Sequence, residues 1–188
     1  MFAAHHKFVT ASEVVVADMR RHATEHDYIR EAKAFLRGGT PKLSALTASL
    51  LALAEAEARA RDDNHVGTEH VVLGLYALGE TTARRALESL GITRQVFADQ
   101  LECEAGPSPS GTIPLTPRAG MIIGLAGLEA ARAASGEVQP EHLLLGVIRE
   151  SEKWQATGKV GPHHLRAAAE AVGVTLADLE SNLKRHAC

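Results

Sequence analysis

The chain has 188 residues, enough for one sizeable core or two small ones packed together, and 45% of them are apolar while only 4% are aromatic. Its formal charge of −3 and pI near 6.4 give no general attraction to nucleic acid or to an anionic membrane. Two cysteines, Cys103 and Cys188, are too few for a disulfide framework and read as reduced thiols of a cytoplasmic protein.

No apolar run approaches the ~20 residues a membrane span needs, and Met1–Lys7 lacks the basic start and apolar stretch of a signal peptide. Within residues 1–42, Val14, Val15, Val16 and Met19 suit a short helix begun by Thr10 or Ser12. A second helix starts at Thr24. It carries Tyr28, Ile29, Ala32, Phe35 and Leu36 at helical spacing and ends at Gly38-Gly39. This extension either covers part of the core or serves for docking or homodimerisation. Arg20, Arg21, Lys33 and Arg37 are offset by Asp18, Glu25, Asp27 and Glu31, which argues against nucleic acid.

From Leu43 a different pattern begins. Leu46, Leu50, Leu53 and Ala54 mark one face of a helix reaching about Arg61, and Asp62–Gly67 is a polar turn. Thr68 reads as the N-cap of a helix with Val71, Val72, Leu75 and Leu78 inward. A third helix covers Thr82–Leu90 and stops at Gly91, and a fourth starts at Thr93. Residues 105–115 form a Pro/Gly/Ser-rich linker. Thr116-Pro117 then opens a helix carrying Ile122, Ile123, Ala126 and Ala130, and Pro140 opens the next.

Those openings are copies. Gly67-Thr68-Glu69-His70-Val71-Val72-Leu73-Gly74-Leu75 is echoed 72 residues later by Gln139-Pro140-Glu141-His142-Leu143-Leu144-Leu145-Gly146-Val147. Ser44–Tyr76 overlays Thr116–Ile148 without a gap, and ten extra residues fall between Ile148 and Val172. The expected architecture is all-α. Two pseudo-twofold four-helix repeats, residues 43–104 and 116–188, give about eight helices behind two short N-terminal ones.

The Gly67–Leu75 motif and Ser110-Gly111-Thr112-Ile113-Pro114-Leu115-Thr116-Pro117-Arg118-Ala119 resemble the N-terminal domain of the Clp AAA+ unfoldases, the ClpC class in particular. The resemblance covers Leu43 to the C-terminus and leaves residues 1–40 outside. It implies a binding module for substrates and adaptors of a Clp unfoldase in protein quality control, with toxic cyclic peptides as further ligands. The family's phosphate loop is absent. Gly158-Lys159 is followed by Val160 and lacks the upstream glycine, so ATP hydrolysis by that route is excluded.

The resemblance also implies that each repeat binds phosphoarginine. A phosphate favours a helix N-terminus, and a guanidinium favours a carboxylate that accepts two parallel N–H bonds. Ser44 with Glu69, and Thr116 with Glu141, supply a capping hydroxyl and an acid at one separation of 25 residues. As caps and first-turn acids, these residues also stabilise helices without any ligand. Ser44 is followed by Ala45-Leu46 where the family has Pro-Arg or Glu-Arg, and Gln139-Pro140 replaces Gly-Thr. His70 and His142 read as hydrogen-bonding residues of the turns rather than metal ligands, since no His-Glu-x-x-His or Cys-x-x-Cys accompanies them. Neither cysteine carries a nucleophile signature, so no enzyme, cofactor or metal is expected.

Overall fold

The computed structural model describes residues 41–101, 111–156 and 163–187. The expected N-terminal helices, residues 105–110 of the linker, Cys103, Cys188 and the glycine-rich part of the insertion lie outside them. The described residues are helical, with two isolated β-bridges as their only extended pairing.

In repeat 1 these are α1 (Ala45–Ala60), α2 (Thr68–Ala77), α3 (Thr82–Glu88) and α4 (Arg94–Ala98). In repeat 2 they are α5 (Pro117–Arg132), α6 (Pro140–Ala156), α7 (His164–Ala171) and α8 (Leu176–His186). Hydroxyl caps set most starts: Ser44, Thr81, Thr93, Thr116 and Thr175 each accept a backbone N–H three residues on. Gly91 and Gly173 hold φ of +80° and +74° at the repeated Leu-Gly and Val-Gly positions, where a side chain would be strained.

Two expectations shift. Thr68 is not the cap of α2 but its first residue. Gly67 takes the extended cap conformation, and its N–H donates to His70 Nδ1 at 2.9 Å. The buried face of α1 is Thr47, Leu50, Leu51, Ala54 and Ala58, whereas Leu46 is 53% exposed and Leu53 is half-buried. The reason is polar: Ser44 N–H and Thr47 Oγ1–H both donate to the Val138 carbonyl, at 3.0 and 2.7 Å, and so turn Thr47 inward.

One glycine in each repeat sets the helix pairing. A Cβ on Gly74 would lie 2.8 Å from the Leu50 carbonyl oxygen, and one on Gly146 would lie 2.6 Å from that of Ile122. The α1–α2 and α5–α6 pairs therefore cross at backbone contact, the closest class of helix approach. Beyond these pairs the repeats interlock, α3 packing on α8 and α4 on α7. Asn182 Nδ2 donates to the Ala86 carbonyl at 2.9 Å and to Ser89 Oγ at 2.6 Å across that joint. One apolar core runs from Leu50 through Phe97 and Ile122 to Leu183, so the repeats share an interior.

An ionic brace ties α6 to α8. Arg149 donates to both oxygens of Glu180 at 2.7 and 2.6 Å, and Lys184 lies 2.6 Å from the same carboxylate. Hydrogen bonding from Arg149 holds the Glu180 carboxyl down at about 2, against an ordinary 4.5. A depressed acid stabilises the fold fully above its unfolded pKa and loses that contribution as pH falls through its folded one. Thermal melts should therefore show stability falling between pH ~4.5 and ~2, and Glu180→Gln should flatten that limb. An identical acid limb in the variant would remove Glu180 as its source.

Candidate functional site at the junction of the repeats

The helix starts that carry the candidate residues meet in pairs, and the pairs run between repeats. Leu43 bridges Val138, with Ser44 N–H donating to the Val138 carbonyl and Val138 N–H to the Lys42 carbonyl at 2.7 Å. Val66 bridges Leu115, with Val66 N–H donating to the Pro114 carbonyl at 2.8 Å and Thr116 N–H to the Val66 carbonyl at 2.9 Å. The cap of α5 thus sits beside the start of α2, and the cap of α1 beside the start of α6. Equal spacing pairs residues within each repeat, whereas here Thr116 lines a cleft with Glu69 of the other repeat, and Ser44 adjoins the strand-like segment that leads to Glu141.

The Thr116 junction is a cleft of about 190 Å³ lined by Arg61, Asp63, His65, Gly67, Thr68, Glu69, Leu101, Thr116, Arg118 and His164. The N-terminal ends of α2, α5 and α7 converge here, so three helix dipoles present their positive ends to one space. Arg118 is anchored beneath it. Its Nε donates to Glu150 Oε1 at 2.6 Å and its Nη2 to Oε2 at 3.0 Å, and Glu150 is 1% exposed. Burial pushes the Glu150 carboxyl up, and Arg118 only partly counters it. His163, at 3.4 Å from Arg118, is held below its ordinary value by burial and then by Arg118, Arg166 and His164.

Glu69 folds back over its own helix start. A Cβ on Gly67 would lie 1.9 Å from Glu69 Oε1, and Thr68 Oγ1 donates to Oε2 at 3.3 Å. Glycine at position 67 makes room for this pose. At the other junction that position is Gln139, which carries a side chain where Gly67 has none, and Pro140 lacks the hydroxyl and amide that Thr68 supplies.

The hydroxyls differ as well. Thr47 Oγ1–H donates to Val138, so the 3.0 Å contact between Ser44 Oγ and Thr47 Oγ1 takes the proton of Ser44. Ser44 is 6% exposed with both roles filled internally. Thr116 Oγ1 accepts from Ala119 N–H at 3.1 Å, and alanine there offers no hydroxyl to take its proton. Lys42 and Glu137 close the Ser44 junction with an ion pair at 2.7 Å.

Both Glu-His histidines are turn residues. His70 Nδ1 accepts from Gly67 N–H, so Nε2 carries the proton and donates to Asp63 Oδ2 at 2.9 Å. His142 Nδ1 accepts from Gln139 N–H at 3.0 Å. Burial lowers His142. Arg118 stood within the quoted Thr116-Pro117-Arg118 motif but was not singled out from it. Arg61 ends the helix before the Asp62–Gly67 turn without belonging to a motif, and His164 lies far from any motif and enters only through tertiary packing.

The family model described as the Clp repeat (R) N-terminal domain matches residues 6–90 and 42–157. The chain belongs to the Clp N-domain family. The match reaches back to residue 6, so much of the extension falls within the family rather than outside it. Among curated relatives, "Negative regulator of genetic competence ClpC/MecB" of Bacillus subtilis is 42% identical over 105 residues, covering 55% of this chain. "Chaperone protein ClpB" of Oceanobacillus iheyensis is 40% identical over 105 residues, again 55% of this chain. The "ATP-dependent Clp protease ATP-binding subunit ClpA homolog" of Cyanidium caldarium is 37% identical over 139 residues, or 72% of this chain. The matched regions span only 13% of the first two relatives and 15% of the third. Among solved structures, the N-terminal domain of the chaperone ClpD from Arabidopsis thaliana matches with a TM-score of 0.58 and 15% identity. It covers 77% of this chain and 93% of that one, a likeness of fold. This Clp N-domain contains, among its described residues, no helix long and apolar enough to cross a membrane.

Proposed function

We propose that this Clp N-domain is a non-catalytic binding module that receives client proteins or adaptors of a Clp unfoldase. Its cross-repeat cleft takes a ligand with an anionic group joined to a guanidinium, phosphoarginine being the family's example. The observation that carries this reading is that Thr116, Arg118 and Glu69 line one cleft at three convergent helix starts. The dipoles, the Thr116 hydroxyl and Arg118 suit the phosphate, and Glu69 suits the guanidinium. Ser44 and Glu141 make the poorer counterpart, since the Ser44 hydroxyl is used internally and Gln139-Pro140 displaces the Gly-Thr start.

Calorimetric titration with phosphoarginine, or with a peptide carrying it, tests the assignment. One equivalent should bind per chain. Glu69→Gln and Thr116→Val should each weaken binding at least ~10-fold, the loss of about 1.4 kcal/mol expected for a charge-assisted hydrogen bond. Ser44→Ala and Glu141→Gln should leave it within ~2-fold, about 0.4 kcal/mol. Heats that do not change in Glu69→Gln and Thr116→Val would remove this cleft as the site. A domain that takes no such ligand would act as a regulator or assembly protein that keeps the fold and works through its N-terminal extension.

A further inference from the structure

The outer face of α5 is buried, and its repeat counterpart on α1 is not. Gly120, Met121, Gly124, Leu125 and Gly127 are all buried, with Met121 at 7% and Leu125 at 3% exposure, and Leu128 is half-buried. The equivalent positions of α1 are Ala48, Ser49, Ala52, Leu53, Glu55 and Ala56. They are exposed or half-buried, as expected for the outside of the same helix pair. Ile122, Ile123, Ala126 and Ala130 join the main core from the inner face of α5. Met121 and Leu125 form a separate cluster with Leu128 and join no other described apolar residue. An apolar cover for them would come from outside the described side chains.

Composition narrows the choice. Residues 102–110 and 157–162 are short and rich in Gly, Pro, Ser and charge, with Val160 as their one branched apolar residue. Residue 154 stands one turn beyond Glu150, which already faces Arg118 in the first turn of α5, so it lies past the end of this face. Residues 1–40 hold Phe2, Phe8, Phe35, Tyr28 and the Tyr28–Leu36 apolar stripe, three of the four phenylalanines of the chain.

The chain path agrees. Lys42 accepts from Val138 N–H and Ser44 donates to the Val138 carbonyl, so the extension joins the described residues beside the loop that follows α5. A helix over residues 24–37 would be about 21 Å long and α5 about 24 Å, with Gly38-Gly39 to reverse the direction between them. The glycines at 120, 124 and 127 leave notches one turn apart that fit large side chains.

We propose that the amphipathic segment 24–37 of the same chain docks on the Gly120–Leu128 face of α5, with Tyr28, Ile29, Phe35 and Leu36 against Met121 and Leu125. The domain thereby covers an apolar face on its second repeat that its first repeat does not possess. This contact is independent of the ligand cleft.

The test is cysteine labelling in the full chain carrying Cys103→Ser and Cys188→Ser. Met121→Cys should react with a maleimide at least tenfold more slowly than Ser49→Cys, its repeat equivalent on α1. Adding Ile29→Ser/Phe35→Ser/Leu36→Ser should speed labelling at position 121 at least tenfold and leave position 49 unchanged. Circular dichroism should retain a cooperative melt, and the milder Phe35→Ala should give an intermediate rate. Fast labelling at 121 without those changes, or slow labelling that persists with them, overturns the proposal. Protection that fades on dilution together with a dimer mass in light scattering also overturns it, assigning the face to a second copy.

Discussion

Arg118→Met should lower stability by about 3–5 kcal/mol, the usual loss when one partner of a buried ion pair is removed. Glu150 is 1% exposed and takes both of its closest charge-assisted bonds from Arg118. Without the guanidinium its carboxylate stays buried with no cation of that geometry. The melting temperature should fall by roughly 6–20 °C for a domain of this size. Glu150 already has a raised pKa because burial disfavours its charge. An acid raised on folding contributes stability that is fully present below its unfolded pKa and is lost as pH rises through its folded one. Removal of Arg118 should raise that pKa further, so the variant should be more stable near pH 5 than near pH 8. The double variant Arg118→Met/Glu150→Leu should recover most of the loss, since an apolar pair of similar volume often replaces a buried ion pair at little cost. Thermal melts of the two single variants and the double variant, each at both pH values, measure the coupling. An additive double variant would mean that the pair is not the source of the loss.

Gly146→Ala and Gly74→Ala should each cost about 1–3 kcal/mol, although alanine is the better helix former by ~1 kcal/mol. The added methyl meets backbone carbonyl oxygens of the partner helix, Ile122 at 2.6 Å and Leu50 at 2.8 Å, and these cannot rotate aside as a side chain would. The α5–α6 pair, with the shorter distance, should lose more. Chemical denaturation of both variants gives the comparison, and a gain in stability at either position would show that the helices separate without cost. Exposed Gly136, with open space around it, supplies the control, where Gly136→Ala should stay within about ±0.5 kcal/mol.

Much of this was legible in order along the chain. Caps such as Thr93, Thr116 and Thr175 act on amides three residues away, and Gly91 ends its helix through its own backbone, so these signals are local. The duplication needed only the 72-residue register, and the turn role of His70 and His142 followed from their place beside each helix start. Local signals erred where neighbours competed for one role. Thr68 yielded the cap to Gly67 because the His70 imidazole took the Gly67 amide. Leu46 lost the inward position because the Val138 carbonyl drew Thr47 in.

By itself, the sequence determined an all-α duplicated domain, the starts of most of its helices and the four candidate residues Ser44, Glu69, Thr116 and Glu141. Equal spacing paired those four within each repeat, Ser44 with Glu69 and Thr116 with Glu141, because a duplicated chain makes pairing within repeats and pairing between them look alike. The tertiary structure adds two backbone bridges, Leu43 with Val138 and Val66 with Leu115, each joining one repeat to the other, and places Thr116 and Glu69 on one cleft. Extended segments leave unpaired N–H and C=O groups that need partners once buried, and the interlocked core brings the other repeat's segment within reach. The same packing made the two junctions unequal. It gathered Arg61, Arg118 and His164 around Thr116 and Glu69, and it closed Ser44 onto Thr47.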